Sequence, residues 1–360
     1  MLNDDVLLEI FGFYLDKDTD EYLESPELID WITLVHVCGR WRSVVFQSQR
    51  RLNLRLLCTP DRPVRDALDI WPPLPLIIRD IGDIEGKRSR DNILAALERN
   101  DRVREIELER PSSSCSELED FTNSAAMQKP FPELTHLRLA RFDLHGLELP
   151  NSFLGRTAPR LQLLDLFGVS FPGLLKLLLS STHLVFLHLQ YIPGSSGYIP
   201  PKAMATSISA LTSLESLIIC FQHPLPRPAS EGRRPSPPLP PRSILPSLTE
   251  IVFNGNSEYL EEILARIDAP RLNQMRITFF NQTISDTSQL FRFIGGSPTL
   301  RAPENGFITL SSDANLRFTS HTSGYNVFEV KIPQTATRIT GWQLSSLEHF
   351  CAPSFPPFPR

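Results

Sequence analysis

The sequence predicts an α/β chain: a short all-helical module at the amino terminus, then an irregular solenoid of helix–turn–strand repeats. Three observations carry that expectation. The pattern apolar-x-x-apolar-x-apolar recurs seven times between Val103 and Ile277. An amphipathic stretch of helical character precedes several of these recurrences. The first 57 residues lack the pattern and instead space their apolar residues at helical intervals.

Composition narrows the function classes. The chain has 360 residues, 41% hydrophobic and 21% charged, an ordinary globular balance that at about 150 residues per domain suggests two domains or one elongated array. A formal net charge of −5 offers no basic face, so a nucleic-acid partner is not expected. The start, MLNDDVLLEIF, has acid where a secretory signal would carry positive charge. The richest apolar run, Leu174 to Leu189, is broken by Lys176, Ser180, Ser181, Thr182, His183 and His188, so no membrane segment is expected. Five cysteines (Cys38, Cys58, Cys115, Cys220, Cys351) are odd in number and hold no C-x-x-C, against a disulfide framework or a thiolate zinc site. A cytoplasmic or nuclear location follows as an expectation.

In chain order, Asn3 or Asp4 caps a first helix through Phe11, with Asp4 and Asp5 at the positive end of its dipole. Val6, Ile10 and Tyr14 fall four apart, beside Leu7 and Phe11, as one broad apolar stripe. After a polar loop (Asp16 to Ser25), Pro26 opens a second helix, ELIDWITLVHV. A third is predicted over Gly39 to Leu57, with Trp41, Val44, Val45 and Leu52 on its apolar side. So small a trio has little core of its own, and such modules leave apolar surface for a partner.

LNDDVLLEIF followed by HVCGRWRSVV resembles the F-box. Leu2, Asp5, Val6, Leu7, Ile10 and Phe11 match its first half; Val37, Cys38, Trp41 and Arg42 match its second. Asn3 stands where the family usually has proline, and Asp16 to Ser25 lengthens the first loop. The resemblance covers residues 1–57 and implies docking to a Skp-type adaptor of a cullin-RING ubiquitin ligase. Leu2, Leu7, Ile10, Phe11, Val37, Cys38 and Trp41 are then the adaptor-binding candidates. The alternative is a ubiquitin-independent interaction scaffold whose amino-terminal helices only cap the solenoid.

The rest of the chain reads as a leucine-rich-repeat array over residues 58–300, and 53 of the 360 residues are leucine. VREIEL begins at Val103, LTHLRL at Leu134, LQLLDL at Leu161, LVFLHL at Leu184, LESLII at Leu214, LTEIVF at Leu248 and LNQMRI at Leu272. The spacings are 31, 27, 23, 30, 34 and 24 residues, mostly near the roughly 20 to 29 of a leucine-rich repeat. An earlier strand is predicted at Leu74 to Asp80. Helices are predicted at DNILAALERN, GLLKLLLSS, PKAMATSISA and EYLEEILARI. The consensus leucines are core; the residues between them face the concave side of the sheet. The central row there is Glu107, Arg138, Asp165, His188, Ile218, Val252 and Arg276. From this row and its neighbours come the target-binding candidates: Arg138, Asp165, Phe167, Phe186, His188 and Arg276. Beyond Leu272 the regularity fades. Residues 301–360 are expected to hold irregular short strands, as at Phe307 to Leu310, Leu316 to Phe318 and Tyr325 to Ile332, that close the array as a cap. WQLSSLEHFCAPSFPPFPR resembles the lead-in to a further repeat strand, as if the array were truncated.

Other motifs weigh less. The loop 223–247 is proline-rich: Pro224 to Pro246 holds nine prolines in 23 residues. RRPSPPLPPR fits both orientations of a proline-groove ligand, so a proline-groove domain is a candidate partner. GDIEGK (Gly82 to Lys87) has three residues between its glycines where a phosphate loop needs four, and Arg88 where Ser or Thr should bind magnesium. No H-E-x-x-H, G-x-S-x-G or metal-ligand histidine spacing occurs. Neither catalytic residues, nor a cofactor, nor a metal is expected. The reading that results is a non-catalytic substrate receptor, its F-box on the adaptor and its concave face on a target protein.

Overall fold

A computed structural model describes residues 2–15, 30–60, 64–81, 87–110, 115–143, 146–193, 197–224, 242–280, 287–301, 305–310, 314–319 and 326–332. Most of the proline-rich loop (225–241), most of the GDIEGK turn (82–86) and the terminal segment 333–360 lie outside the described residues.

The fold is mixed α/β around a twelve-stranded sheet. Its strands in chain order are β1 (Leu56–Cys58), β2 (Leu76–Ile81), β3 (Val103–Arg110), β4 (His136–Arg141), β5 (Leu163–Phe167) and β6 (Phe186–Ile192), followed by β7 (Ser216–Phe221), β8 (Glu250–Gly255), β9 (Gln274–Phe279), β10 (Asn305–Leu310), β11 (Ala314–Thr319) and β12 (Asn326–Ile332). Strands β1 to β9 lie side by side in sequence order, every pair parallel. β12 then joins β9 in parallel, and β11 and β10 fold back antiparallel beyond it. VREIEL lies wholly on β3; the other six recurrences, and the earlier segment at Leu74 to Asp80, begin two residues before a strand and run into it.

One turn recurs ahead of the strands. The backbone N–H of Leu134, Leu161, Leu184, Leu214, Leu248 and Leu272 each donates to the carbonyl three residues earlier. That carbonyl belongs to Phe131, Ala158, Ser181, Leu211, Leu245 and Ala269 in turn. The chain then enters the sheet by giving two successive N–H groups to one carbonyl of the previous unit: Gln162 and Leu163 to Thr135, Val185 and Phe186 to Gln162, Glu215 and Ser216 to Val185. Leu137, Leu164, Leu187, Leu217, Ile251 and Met275 point inward from the strands and are buried. Successive helices pack on one another, α7 (Leu174–Ser180) on α8 (Pro201–Ile208) and α8 on α9 (Ser257–Leu264).

The amino-terminal helices are α1 (Asp4–Leu15), α2 (Asp30–Val37) and α3 (Gly39–Gln47). They do not stand apart as a three-helix module with its own core. Leu7, Leu8, Phe11, Trp31, Leu34, Val35, Val44 and Val45 belong to one apolar cluster continuous with the sheet. Trp31 makes the join: its Nε1 donates to the Arg55 carbonyl at 2.8 Å, and its ring meets Trp71 at 5.3 Å. The predicted third helix is also too long. It ends at Gln47, turns through Asn53 at φ 47, and Leu56–Cys58 is strand β1. Leu52, Leu54 and Leu56 alternate with polar residues, a period of two that belongs to a strand. Helices α4 (Val64–Ile70), α5 (Lys87–Leu97), α6 (Cys115–Asn123) and α10 (Ser288–Gly296) complete the pattern. No described helix is long and apolar enough to cross a membrane.

Gly168, directly after β5, has φ +64, and a Cβ there would lie 2.2 Å from the Arg141 carbonyl oxygen. Its N–H and carbonyl meanwhile bond Gln190 and Leu147. Gly168→Ala therefore combines a left-handed backbone with a main-chain clash, and should cost about 3 kcal/mol. Denaturant unfolding checks this; a loss below about 1 kcal/mol would mean the turn relaxes freely.

Candidate functional site

The open face of the sheet carries the side chains between the buried leucines. Register aligns them: Arg79, Glu107, Arg138, Asp165, His188, Ile218, Val252, Arg276 and Glu329 form one row across nine adjacent strands, β2 to β9 and β12. Cross-strand neighbours on one face interact directly, and here their charges alternate. Arg79 Nε meets Glu107 Oε2 at 2.7 Å. Arg138 serves three carboxylates, with Glu109 at 2.9 Å, Glu107 at 3.4 Å and Asp165 at 3.5 Å. Further along, Ser216 Oγ donates to Glu250 Oε2 at 3.0 Å, so it accepts from His188 Nε2 at 3.2 Å.

Burial dominates the protonation of three groups on this face, Asp165, Glu109 and His188. It raises the Asp165 carboxyl above its ordinary range, against the pull of His188, Arg138 and a hydrogen bond from the Gln190 side chain. It raises Glu109 likewise, opposed by Arg138 and reinforced by Glu107 and Asp165. It lowers His188, against Asp165 and Glu250, so the imidazole here is a neutral hydrogen-bonding group at neutral pH. Asp165 Oδ1 is buried and has no hydrogen-bond partner.

Beside the charged row lie three rings. Phe167, two residues after Asp165, meets Phe142 at 4.8 Å and Tyr191 at 4.6 Å between centroids. Phe142 is 51% exposed and Tyr191 54%. Two local devices hold the outer rings. Arg141, almost fully buried, bonds Asp143 Oδ2 at 2.6 Å and Glu119 at 2.5 Å, pinning the turn on either side of Phe142. In β6 the pairing register slips between Leu189 and Ile192, and Tyr191 sits at φ 52. This bulge presents the Tyr191 ring beside Phe167.

The six target-binding candidates separate into two groups. Arg138, Asp165, Phe167, Phe186 and His188 come together on β4, β5 and β6, with the Phe186 ring 6.1 Å from His188. Arg276 lies four strands from Asp165, about 19 Å at the usual strand spacing, with Ile218 and Val252 between. Phe142 and Tyr191 were not among the candidates. Phe142 follows a strand rather than lying on it, and a bulge leaves no mark in the alternation of apolar and polar residues.

The adaptor candidates divide by burial. Leu2, Ile10, Val37 and Cys38 are exposed. Leu7 and Phe11 are buried in the core, and Trp41 is half-buried with its ring 4.8 Å from Phe11. Leu7 and Phe11 lie on the inward stripe of α1, and Trp41, on α3, packs against it. Val6, Phe13 and Tyr14 of α1 are exposed as well, Phe13 at 73%.

Burial pushes the thiols of Cys58 and Cys220 up to about 12 and about 11, so neither is a thiolate at neutral pH. Among the described residues no group of three His, Cys, Asp or Glu side chains is arranged to hold a metal ion. No family model, curated protein or solved structure matches the chain.

Two expectations follow. Because burial raises the Asp165 carboxyl, its charged form costs the folded state stability above the ordinary Asp value of 3.8, and the cost disappears as acid protonates it. Asp165→Asn should raise the denaturation midpoint at pH 7, with the gain shrinking to nothing below that value; a loss at pH 7 would show that Arg138 and His188 outweigh burial. At Tyr191 the left-handed backbone favours glycine over alanine, so Tyr191→Gly should be more stable than Tyr191→Ala by about 1 kcal/mol, the reverse of the order in a regular strand. Paired unfolding curves decide it.

Proposed function

We propose that this protein is a non-catalytic substrate receptor of a Skp–cullin–F-box-type ubiquitin ligase. In this reading α1 to α3 are an F-box-like element that docks a Skp-type adaptor. The remainder is a leucine-rich-repeat solenoid whose concave face holds a target protein. The recurrent turn before each strand, the buried leucines and the parallel neighbour-to-neighbour order support the repeat assignment.

One observation carries the adaptor reading. Helix α1 is apolar on two sides: Leu7, Leu8 and Phe11 face inward, while Val6, Ile10, Phe13 and Tyr14 stand exposed one helical turn apart. Leu2, Val37 and Cys38 add to the exposed set. A helix apolar all round calls for cover on both sides, and a ridge of aliphatic and aromatic anchors is what binding hot spots are made of. Four of these exposed residues (Leu2, Ile10, Val37, Cys38) are positions of the F-box resemblance assigned to the adaptor. The mechanism is positional. A receptor that holds a target lysine near a charged conjugating enzyme raises its effective concentration and contributes no reacting group.

The test is co-expression of the full chain with a Skp-type adaptor and size-exclusion chromatography. A stoichiometric complex is expected, and Ile10→Asp with Phe13→Asp should abolish it while changing stability by no more than about 1 kcal/mol, as exposed substitutions do. Trp41→Ala is a poorer probe, since it removes packing against Phe11. A folded chain that elutes alone, or a doubly substituted chain that still co-elutes, overturns the reading.

A further inference from the structure

The exposed residues assigned to the adaptor come from two stretches far apart in the chain, Leu2 to Ile10 and Val37 to Cys38, and one side chain ties the stretches together. Arg40 lies in the first turn of α3, directly after Val37, Cys38 and Gly39. Its Nη2 donates to the Leu2 carbonyl at 2.5 Å and to Asp4 Oδ1 at 2.6 Å, and its Nε donates to the same carboxylate oxygen at 3.0 Å. Leu2 and Asp4 therefore lie within the reach of one arginine side chain from the α2–α3 junction. The next residue, Trp41, packs its ring on Phe11. Successive residues of α3 thus hold α1 at its first turn and along its buried stripe. Glu9, further along α1, pairs with Arg51, which follows α3. Arg42, by contrast, donates to the Val35 carbonyl of α2 at 3.1 Å.

We propose that Arg40 is a positioning residue for adaptor docking: it fixes the lead-in of α1 against the start of α3, so that Leu2 meets the adaptor together with Val37 and Cys38. The inference rests on the adaptor reading and adds to it a residue that the F-box resemblance does not match. Leu2 and Asn3 lie ahead of the first helical residue, and a lead-in of this kind frays unless something ties it down. A frayed Leu2 would have to be ordered at the moment of docking, and the entropy of fixing its backbone would be subtracted from affinity. Equivalently, a docking-competent state populated only part of the time weakens the apparent affinity by that fraction. Stability is a poor explanation for the contact. The Arg40 and Asp4 side chains are 39% and 59% exposed, and an ion pair so open to water adds little to folding. A guanidinium suits the task because one rigid planar group meets two acceptors, a carboxylate and a main-chain carbonyl. An ammonium on a flexible stem fixes their relative position less well.

Adaptor affinity of the full chain, measured by biolayer interferometry with denaturant unfolding alongside, tests this. Arg40→Gln should weaken binding about tenfold, chiefly through slower association, and Arg40→Lys should fall between it and the wild type. The unfolding midpoint should stay where it is; a merely structural role would move it. The decisive comparison is made in a Leu2→Ala background. There Arg40→Gln should weaken binding by less than about twofold, because the anchor it positions is already gone. A full loss in that background, or wild-type affinity in Arg40→Gln alone, overturns the proposal. The free chain supplies a second measurement: amide hydrogen exchange from Leu2 to Leu7 should be at least about threefold faster in Arg40→Gln, and equal rates overturn the proposal too. A wild-type chain that binds no adaptor overturns the adaptor reading and the positioning role together. Adaptor binding that ignores Arg40 overturns the positioning role alone.

Discussion

Parallel register is the constraint on which the open face depends. Side chains on a strand alternate between faces, so a slip of one residue would turn every buried leucine outward and every open-face residue inward. The slip is blocked before each strand begins. A three-residue turn closes on a buried leucine, and two successive N–H groups then seat on one carbonyl of the preceding unit. Repeating this step from β5 to β9 carries the register across that part of the sheet. The row from Arg79 to Glu329 is straight because the turns are alike, although the segments between them differ in length. The alternating charges of Arg79, Glu107, Arg138 and Asp165 are then neighbours by construction, and opposite charges facing each other across strands stabilise the pairing that brought them together.

The same economy of surface explains why α1 to α3 are not an independent unit. Three helices of twelve, eight and nine residues enclose too little apolar volume to hold together alone. They borrow core from the first turns of the sheet through Trp31, Phe46 and Trp71, whose rings lie 5.3 to 6.1 Å apart. Once Leu7 and Phe11 are spent on that union, the remaining face of α1 has no described residue covering it. The exposed stripe of Val6, Ile10, Phe13 and Tyr14 is a consequence of a helix that is apolar around most of its circumference.

Sequence alone makes the repeated strands and their inward leucines legible, because period two and a recurring turn are both local signals. The charged row is legible for the same reason: once the leucines are assigned inward, Glu107, Arg138, Asp165, His188 and Arg276 can only face out. What escapes is non-local or irregular. β1 hides in a run of arginines and leucines that also suits a helix, and only pairing with β2 selects the strand. Helices α4, α6 and α10 are seven to nine residues long, too short to show a clear stripe. In the site, Tyr191 reaches Phe167 through a bulge and Phe142 through a turn. The division of the adaptor candidates into buried and exposed also needed the fold, since Leu7, Ile10 and Phe11 are equally apolar in the chain.

Several costs to folding coincide on β4, β5 and β6. Tyr191 bears a left-handed backbone worth about 1 to 2 kcal/mol of strain, and two large rings stand half in water. Asp165 is buried with an oxygen unsatisfied although Arg138 is within reach, because Arg138 also answers to Glu107 and Glu109. No one of these is unusual by itself, since strained residues and orphaned acceptors occur singly in many folds. Their coincidence is informative because elsewhere in the described sheet such costs stand apart, as with the buried, unpartnered Asn254 Oδ1 on β8. Simple substitutions would relieve each cost without disturbing register, asparagine at Asp165 or glycine at Tyr191 among them. A chain shaped only for stability would have little reason to keep all of them within one ring-to-ring contact of each other. Retained together on three adjacent strands, they fall on the part of the open face where five of the six target-binding candidates come together.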